Sequence, residues 1–173
     1  NVRACRVNKR GHIEQAMSIP PFEFKQLINE DWETASFRAR LETNRFFFVV
    51  FREDHEGEWR LDRCLFWAMP ANEIEGPAKA CWDETRKVIR EGVELNPYRD
   101  ASGKLKVTNN LPGMADNPIV HVRPHTSKAA YKFADGTEIG DIARNAYELP
   151  DGRWMTKQSF WFNKGYLEHI LGL

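Results

Sequence analysis

The chain has 173 residues, 42% of them hydrophobic and 12% aromatic, with 25 Lys and Arg balanced by 25 Asp and Glu. That length and apolar content suit one packed domain and exclude a disordered polymer. No run approaches the ~20 apolar residues of a membrane span. Zero net charge excludes a uniformly basic, histone-like binder but leaves room for a local cationic face.

Residues 2–7 and 12–18 flank a Lys9-Arg10-Gly11 turn and read as a hairpin that Pro20-Pro21 ends. A helix is expected over Phe22 to Asn29, and a second from Trp32 with Thr34 or Ser36 as its cap. The continuous run Phe46 to Phe51 has the character of a buried central strand, and a turn at His55-Glu56-Gly57 returns it along Trp59 to Met69. From Pro70 the spacing of Ala78, Cys81, Trp82, Thr85, Val88 and Ile89 predicts one helical face, with Gly92 placed to stop it. Residues 93–117 read as a long loop. Ile119 to Val122 is a short strand, followed by a second loop to about Tyr147. Tyr147-Glu148-Leu149 and Arg153 to Thr156, joined by Pro150-Asp151-Gly152, form a last hairpin, and Phe160 to Leu171 a closing amphipathic helix built of packing residues. The expected class is α+β, a mixed β-sheet with flanking helices around a β-meander, in one domain spanning 1–173.

Cys5, Cys64 and Cys81 are odd in number and widely spaced, without a Cys-x-x-Cys pair, which argues against a zinc site or disulfide framework and for a cytoplasmic chain. With no initiator Met and no signal-like opening, Asn1 reads as a cut end inside a longer protein. Charge is unevenly laid out. Arg3, Arg6, Lys9 and Arg10 meet no acid in the first ten residues, and Glu53 to Glu58 is acidic. Between 104 and 132 the bases Lys104, Lys106, Arg123, Lys128 and Lys132 face Asp116 alone. One positive face is compatible with this layout.

Chemical motifs are mostly missing. There is no Gly-rich phosphate loop and no Gly-x-Ser-x-Gly elbow. His121 and His125 are four apart, but Pro124 between them breaks a helical ligand face. The one Glu-x-Lys, Glu23-Phe24-Lys25, follows two prolines in a helical segment, where a solvated turn is expected instead of a strand-borne metal site. No catalytic residue and no metal ligand is assigned. A binding site fares better. In Val120-His121-Val122-Arg123-Pro124-His125 an Arg leaves a strand where Pro is expected to end pairing, and a guanidinium there can reach a guanine edge with two parallel hydrogen bonds. Arg153, Trp154, Lys157 and Gln158 supply cations, an aromatic and an amide after a second loop. The competing reading makes Arg123 a salt-bridged strand end and Trp154 a core residue.

Two segments, HVRPH at 121–125 and LPDGRWMTKQSFWFNKGYLEHIL at 149–171, resemble the C-terminal signature of the MutH family, the mismatch-repair nicking endonuclease and its GATC-recognising type II restriction relatives. RVNKRGHIEQAMSIPPFEF, RFFFVVF and LFWAMPANEIE resemble the restriction branch, so the likeness spans nearly the whole chain. It implies a restriction-endonuclease-like fold and binding of double-stranded DNA at a GATC-like site. Arg123 and His125 match the recognition motif around Pro124, with His where the nicking enzyme has Lys. Trp154 matches an aromatic at the adenine, and Lys157 a base beside it. Arg153, Lys104, Lys106 and Lys128 complete the expected DNA-binding set. The family's catalytic Asp and Glu-x-Lys would fall before and at the first residues, where Asn1 stands for the Glu and Arg3 for the Lys. The resemblance therefore implies a C-terminal effector domain without the catalytic motif, partnered by a catalytic N-terminal domain of the same protein. It further implies magnesium for cleavage by that longer protein, none for this chain, and no membrane. An endonuclease active in its own right and a protein-interaction domain that has lost DNA affinity are the alternatives.

Overall fold

The computed structural model describes residues 1–173. The chain begins with β1 (Val2–Val7), β2 (Met17–Ser18) and a short helix α1 (Phe24–Leu27). A 3₁₀ turn at Trp32–Thr34 leads into α2 (Ser36–Thr43), and then come β3 (Phe46–Glu53) and β4 (Trp59–Trp67). Next are α3 (Ala71–Glu73), a π-helical turn (Ile74–Ala78) and α4 (Lys79–Glu91). Two strands, β5 (Leu95–Arg99) and β6 (Leu105–Asn109), precede β7 (Val120–Pro124), β8 (Tyr131–Lys132) and β9 (Glu138–Ile139). The chain closes with α5 (Ile142–Asn145), β10 (Ala146–Glu148), β11 (Trp154–Thr156), β12 (Gln158–Phe162) and α6 (Lys164–Leu171).

The class is α+β, with the strands shared among several small sheets. β3 lies between a parallel β1 and an antiparallel β4. β12 lies between β2 and β7, both antiparallel to it. β10, β11, β8 and β9 form a third sheet, and β5 and β6 a separate hairpin. Phe46, Phe48 and Val50 on one face of β3 are buried with Trp82 and Ile89 of α4 and Phe160 and Phe162 of β12, in one contiguous cluster of 35 residues. Phe37 stacks on Phe160 at 4.1 Å, joining α2 to β12. Burial of such side chains contributes roughly 1.5–3 kcal/mol each. Pro77, which has no N–H to give, sits in the π-helical turn, as the lost hydrogen bond requires. No helix is long and apolar enough to cross a membrane.

The central strand at Phe46, the hairpin to Trp67, the 71–91 helical segment stopped at Gly92 and the 146–156 hairpin fall where the sequence places them. Five expectations are corrected. Residues 2–7 and 12–18 pair only at a Val7–Ile13 bridge, with the Arg6 N–H donating to Gln15 Oε1, because Met17-Ser18 turns away to pair with β12. Neither Thr34 nor Ser36 caps α2: Ala35 is its first flanking residue, and Thr34 Oγ1 donates back to the Asp31 carbonyl. The 93–117 loop contains the β5–β6 hairpin, whose mostly exposed strands bury too little to show apolar alternation. The second loop likewise holds β8, β9 and α5. Finally, Phe160 to Phe162 is strand and not helix. These aromatics fill a central strand, and the helical spacing starts only after Asn163.

Candidate functional site

β7 and β12 are in register with Ser159 opposite Arg123 and Trp161 opposite His121. Strand alternation sends Val120, Val122, Phe160 and Phe162 into the core and turns His121, Arg123, Ser159 and Trp161 to the other face. On that face Arg123 and His125 are exposed and Trp161 is half-buried, while Ser159 and His121 are buried. The Arg123 guanidinium lies 4.5 Å from the Trp161 ring centroid, and the Trp161 indole N–H donates to the Arg123 carbonyl at 3.2 Å. His125 Nδ1 is 2.9 Å from Ser159 Oγ.

A buried polar network sets the start of β7. Asn117 Oδ1 accepts from the N–H groups of Ile119 (3.0 Å) and Val120 (3.1 Å), and its amide donates to the Pro77 carbonyl at 2.7 Å. Asn163 donates from Nδ2 to the Asn117 carbonyl at 2.6 Å, so its Oδ1, 2.6 Å from His121 Nδ1, accepts the imidazole proton. Burial holds the His121 imidazole below its usual range, and the neighbouring Arg123 acts in the same sense. The ring is therefore a neutral structural donor. It is not a phosphate ligand.

Hydrogen bonds tie the segments that carry the other candidate residues to β7, β11 and β12. Pro124 does not end pairing: the His125 N–H donates to the Lys157 carbonyl at 2.8 Å, so the ladder continues past it. Lys157 in turn donates its N–H to Asn145 and places Nζ 4.7 Å from the Tyr147 ring centroid. Thr156 Oγ1 accepts from the Ala130 N–H (2.9 Å) and donates to the Ala130 carbonyl (3.1 Å), fastening the loop that carries exposed Lys128. Lys104 and Lys106 are exposed on the β5–β6 hairpin. Both roots of that hairpin are tied to the site, since the Val122 N–H donates to the Pro112 carbonyl and Arg153 Nη2 to the Val93 carbonyl.

Arg153 and Trp154 each have partners within the molecule. Arg153 is committed within the molecule, to the Asp151 carboxylate at 2.6 Å and to Val93, and so acts as a clamp on the hairpin root. Arg123 takes Trp161 as its aromatic partner. Half-buried Trp154 lies in the adjoining sheet, opposite Glu148 and Lys132. Arg123 makes no ion pair, unlike Arg153, and Trp154 is not sealed in the core. Trp161, assigned to packing from the sequence, is part of the open face. Reading Gln158-Ser159-Phe160-Trp161-Phe162 with period two would have found it. Glu23 flanks α1, and Lys25 on that helix pairs with Glu148, so the Glu-x-Lys is a helix start as the sequence indicates.

No protein-family model matches the chain. It is 36% identical over 180 residues to the type II restriction enzyme Sau3AI of Staphylococcus aureus, an alignment covering 96% of this chain and 37% of that enzyme. The chain thus spans little more than a third of the length of this curated relative, and is related in sequence to a segment of a restriction enzyme.

Proposed function

We propose that this chain is a duplex-DNA-binding domain of a longer type II restriction enzyme, belonging to the MutH-like group and reading a GATC-like site as an effector. The observation that carries the reading is Arg123, an unpaired guanidinium held over Trp161 on an otherwise polar strand face. A guanidinium so oriented keeps its fork of N–H donors free for the O6 and N7 of a guanine, a contact contributing about 1–3 kcal/mol of discrimination. In this reading Lys104, Lys106, Lys128 and Lys157 supply cations for phosphates, His125 follows Arg123 two residues on along the same strand, and Trp154 is assigned to the adenine. The relatedness to a restriction enzyme supports the same reading. Binding at this face would bias the catalytic N-terminal domain of the longer protein, a coupling typically of about 1–3 kcal/mol.

The resemblance brings magnesium with it, and the residues of this chain do not fit it. At the positions that would correspond to Glu and Lys, Asn1 donates its amide to Asn44 Oδ1 at 2.5 Å, and Arg3 is an exposed cation on β1. A hard divalent ion needs anionic oxygens. No cleavage step is assigned here.

The experiment is a fluorescence-anisotropy titration of a GATC duplex and a scrambled duplex across salt. The expected result is tighter binding of the GATC duplex with a steep loss of affinity as salt rises. Equal or salt-insensitive affinities would leave a protein-interaction domain in its place.

A further inference from the structure

The sheet formed by β1, β3 and β4 has a second face that nothing covers. The register lines up Val2, Phe47 and Phe66 in one row and Phe51 with Leu61 in another, with Cys64 between them opposite Val49. Phe66 is 79% exposed, Val2 68% and Leu61 60%, and the Phe47 and Phe66 rings lie 4.6 Å apart. Arg6, opposite Phe51, makes no ion pair and sits over the Trp59 ring at 5.5 Å. Single exposed apolar residues are ordinary, whereas contiguous patches of a few hundred Å² are often functional.

Its size narrows the occupant. Three strands about 4.8 Å apart over some six residues of about 3.3 Å make a patch on the order of 300 Å². A stable complex between free partners needs about 800 Å² on each side, whereas domains of one chain associate through less because the tether supplies the concentration. The Asn1 end of the chain lies at this face: the Asn1 carbonyl accepts from the Phe47 N–H at 2.8 Å, next to the row of Val2, Phe47 and Phe66. A polypeptide joined there is held beside the patch.

We propose that this face is the docking surface for the remainder of the longer polypeptide, which presents an apolar patch with a carboxylate opposite Arg6. The inference rests on the reading of the chain as one domain of a longer restriction enzyme. It assigns the two partners to different surfaces: DNA to the β7–β12 face, and the companion domain to the β1–β3–β4 face.

Cys64 reports on the docking, being exposed while Cys5 and Cys81 are buried. Maleimide labelling of the Cys64 peptide, read by mass spectrometry, is compared between this chain alone and the longer polypeptide. Labelling about tenfold slower in the longer polypeptide is expected, and Phe66→Ser there should restore the rate seen in the chain alone. Equal rates in the two proteins would overturn the proposal. So would a chain that protects Cys64 by itself as its concentration rises, since that assigns the face to a second copy. Affinity of the F66S chain for the GATC duplex separates the two readings: DNA binding can fail with docking intact, and docking can fail with DNA binding intact.

Discussion

Arg123 and Trp161 hold each other: the guanidinium lies over the indole at 4.5 Å, and the indole N–H returns a hydrogen bond to the Arg123 carbonyl at 3.2 Å. The carbonyl contact fixes the ring and the ring orients the guanidinium, a stacked geometry that a lysine ammonium does not reproduce. Arg123→Ala should cost about 1–3 kcal/mol of sequence discrimination, with preference flattened at one base pair. Arg123→Lys should keep phosphate-driven affinity but lose most of that preference. Anisotropy titrations against single-base-pair variants of the duplex measure both, and an R123A chain that still strongly prefers GATC contradicts the role.

Trp161→Phe keeps an aromatic plane under Arg123 but removes the N–H donor. It should lower affinity less than Trp161→Ala, with both losses falling on the preferred duplex. Equal binding by the two variants and the parent would make Trp161 a bystander.

In the proposed reading the lysines meet phosphate, Lys104, Lys106 and Lys128 from exposed positions and Lys157 from a half-buried one against Tyr147. Single alanine replacements of Lys104, Lys106, Lys128 or Lys157 should weaken binding to all duplexes alike and reduce the slope of log affinity against log salt by about 1 each. The salt series is the readout. A lysine whose removal leaves that slope unchanged lies outside the interface.

His121 gives the domain a pH dependence of known sign. Its folded-state pKa is lowered, first by burial, from an ordinary value of 6.5. As pH falls below about 6.5 the unfolded chain takes up this proton before the folded chain does, so the stability from His121 is present above that pH and lost on acidification. The melting temperature of the parent should therefore drop further between about pH 7.5 and 5.5 than that of His121→Gln, which keeps an amide donor without the titration. A parallel drop in both proteins would refute the assignment.

Gly140 has φ +70°, and a Cβ there would lie 2.0 Å from the Ala129 carbonyl oxygen. Gly140→Ala strains the backbone and collides with the loop that Thr156 pins through Ala130. It should destabilise by about 2 kcal/mol or more in urea unfolding. A loss under about 0.5 kcal/mol, the range of an ordinary surface change, would show that the loop is free to move away.

Legibility from sequence followed burial. β3 and α4 were readable because Phe46 to Val50 and Cys81 to Ile89 put apolar side chains at the spacing of their element. β5 and β6 were not, since their residues face water and their pairing is held by backbone bonds and the Asp100 turn. β12 is hidden in the sequence because its aromatics run directly into the helix that follows. The parallel β1–β3 pairing joins residues some 45 positions apart, which no local pattern encodes. In the site, Arg123, His125 and Lys157 were visible as charges after loops. The partnership with Trp161 is hidden because the aromatics of β12 run into α6, and the Arg153–Asp151 pair depends on a turn geometry that composition does not show.

The central claim, that a double helix lies on the β7–β12 face, is tested most directly by NMR titration of the isotopically labelled chain with a GATC duplex. The account predicts that the largest shift changes fall on residues 121–125 and 157–161, the Trp161 indole N–H among them. Changes gathered on β3 and β4, with the Trp161 indole signal unmoved, would contradict it.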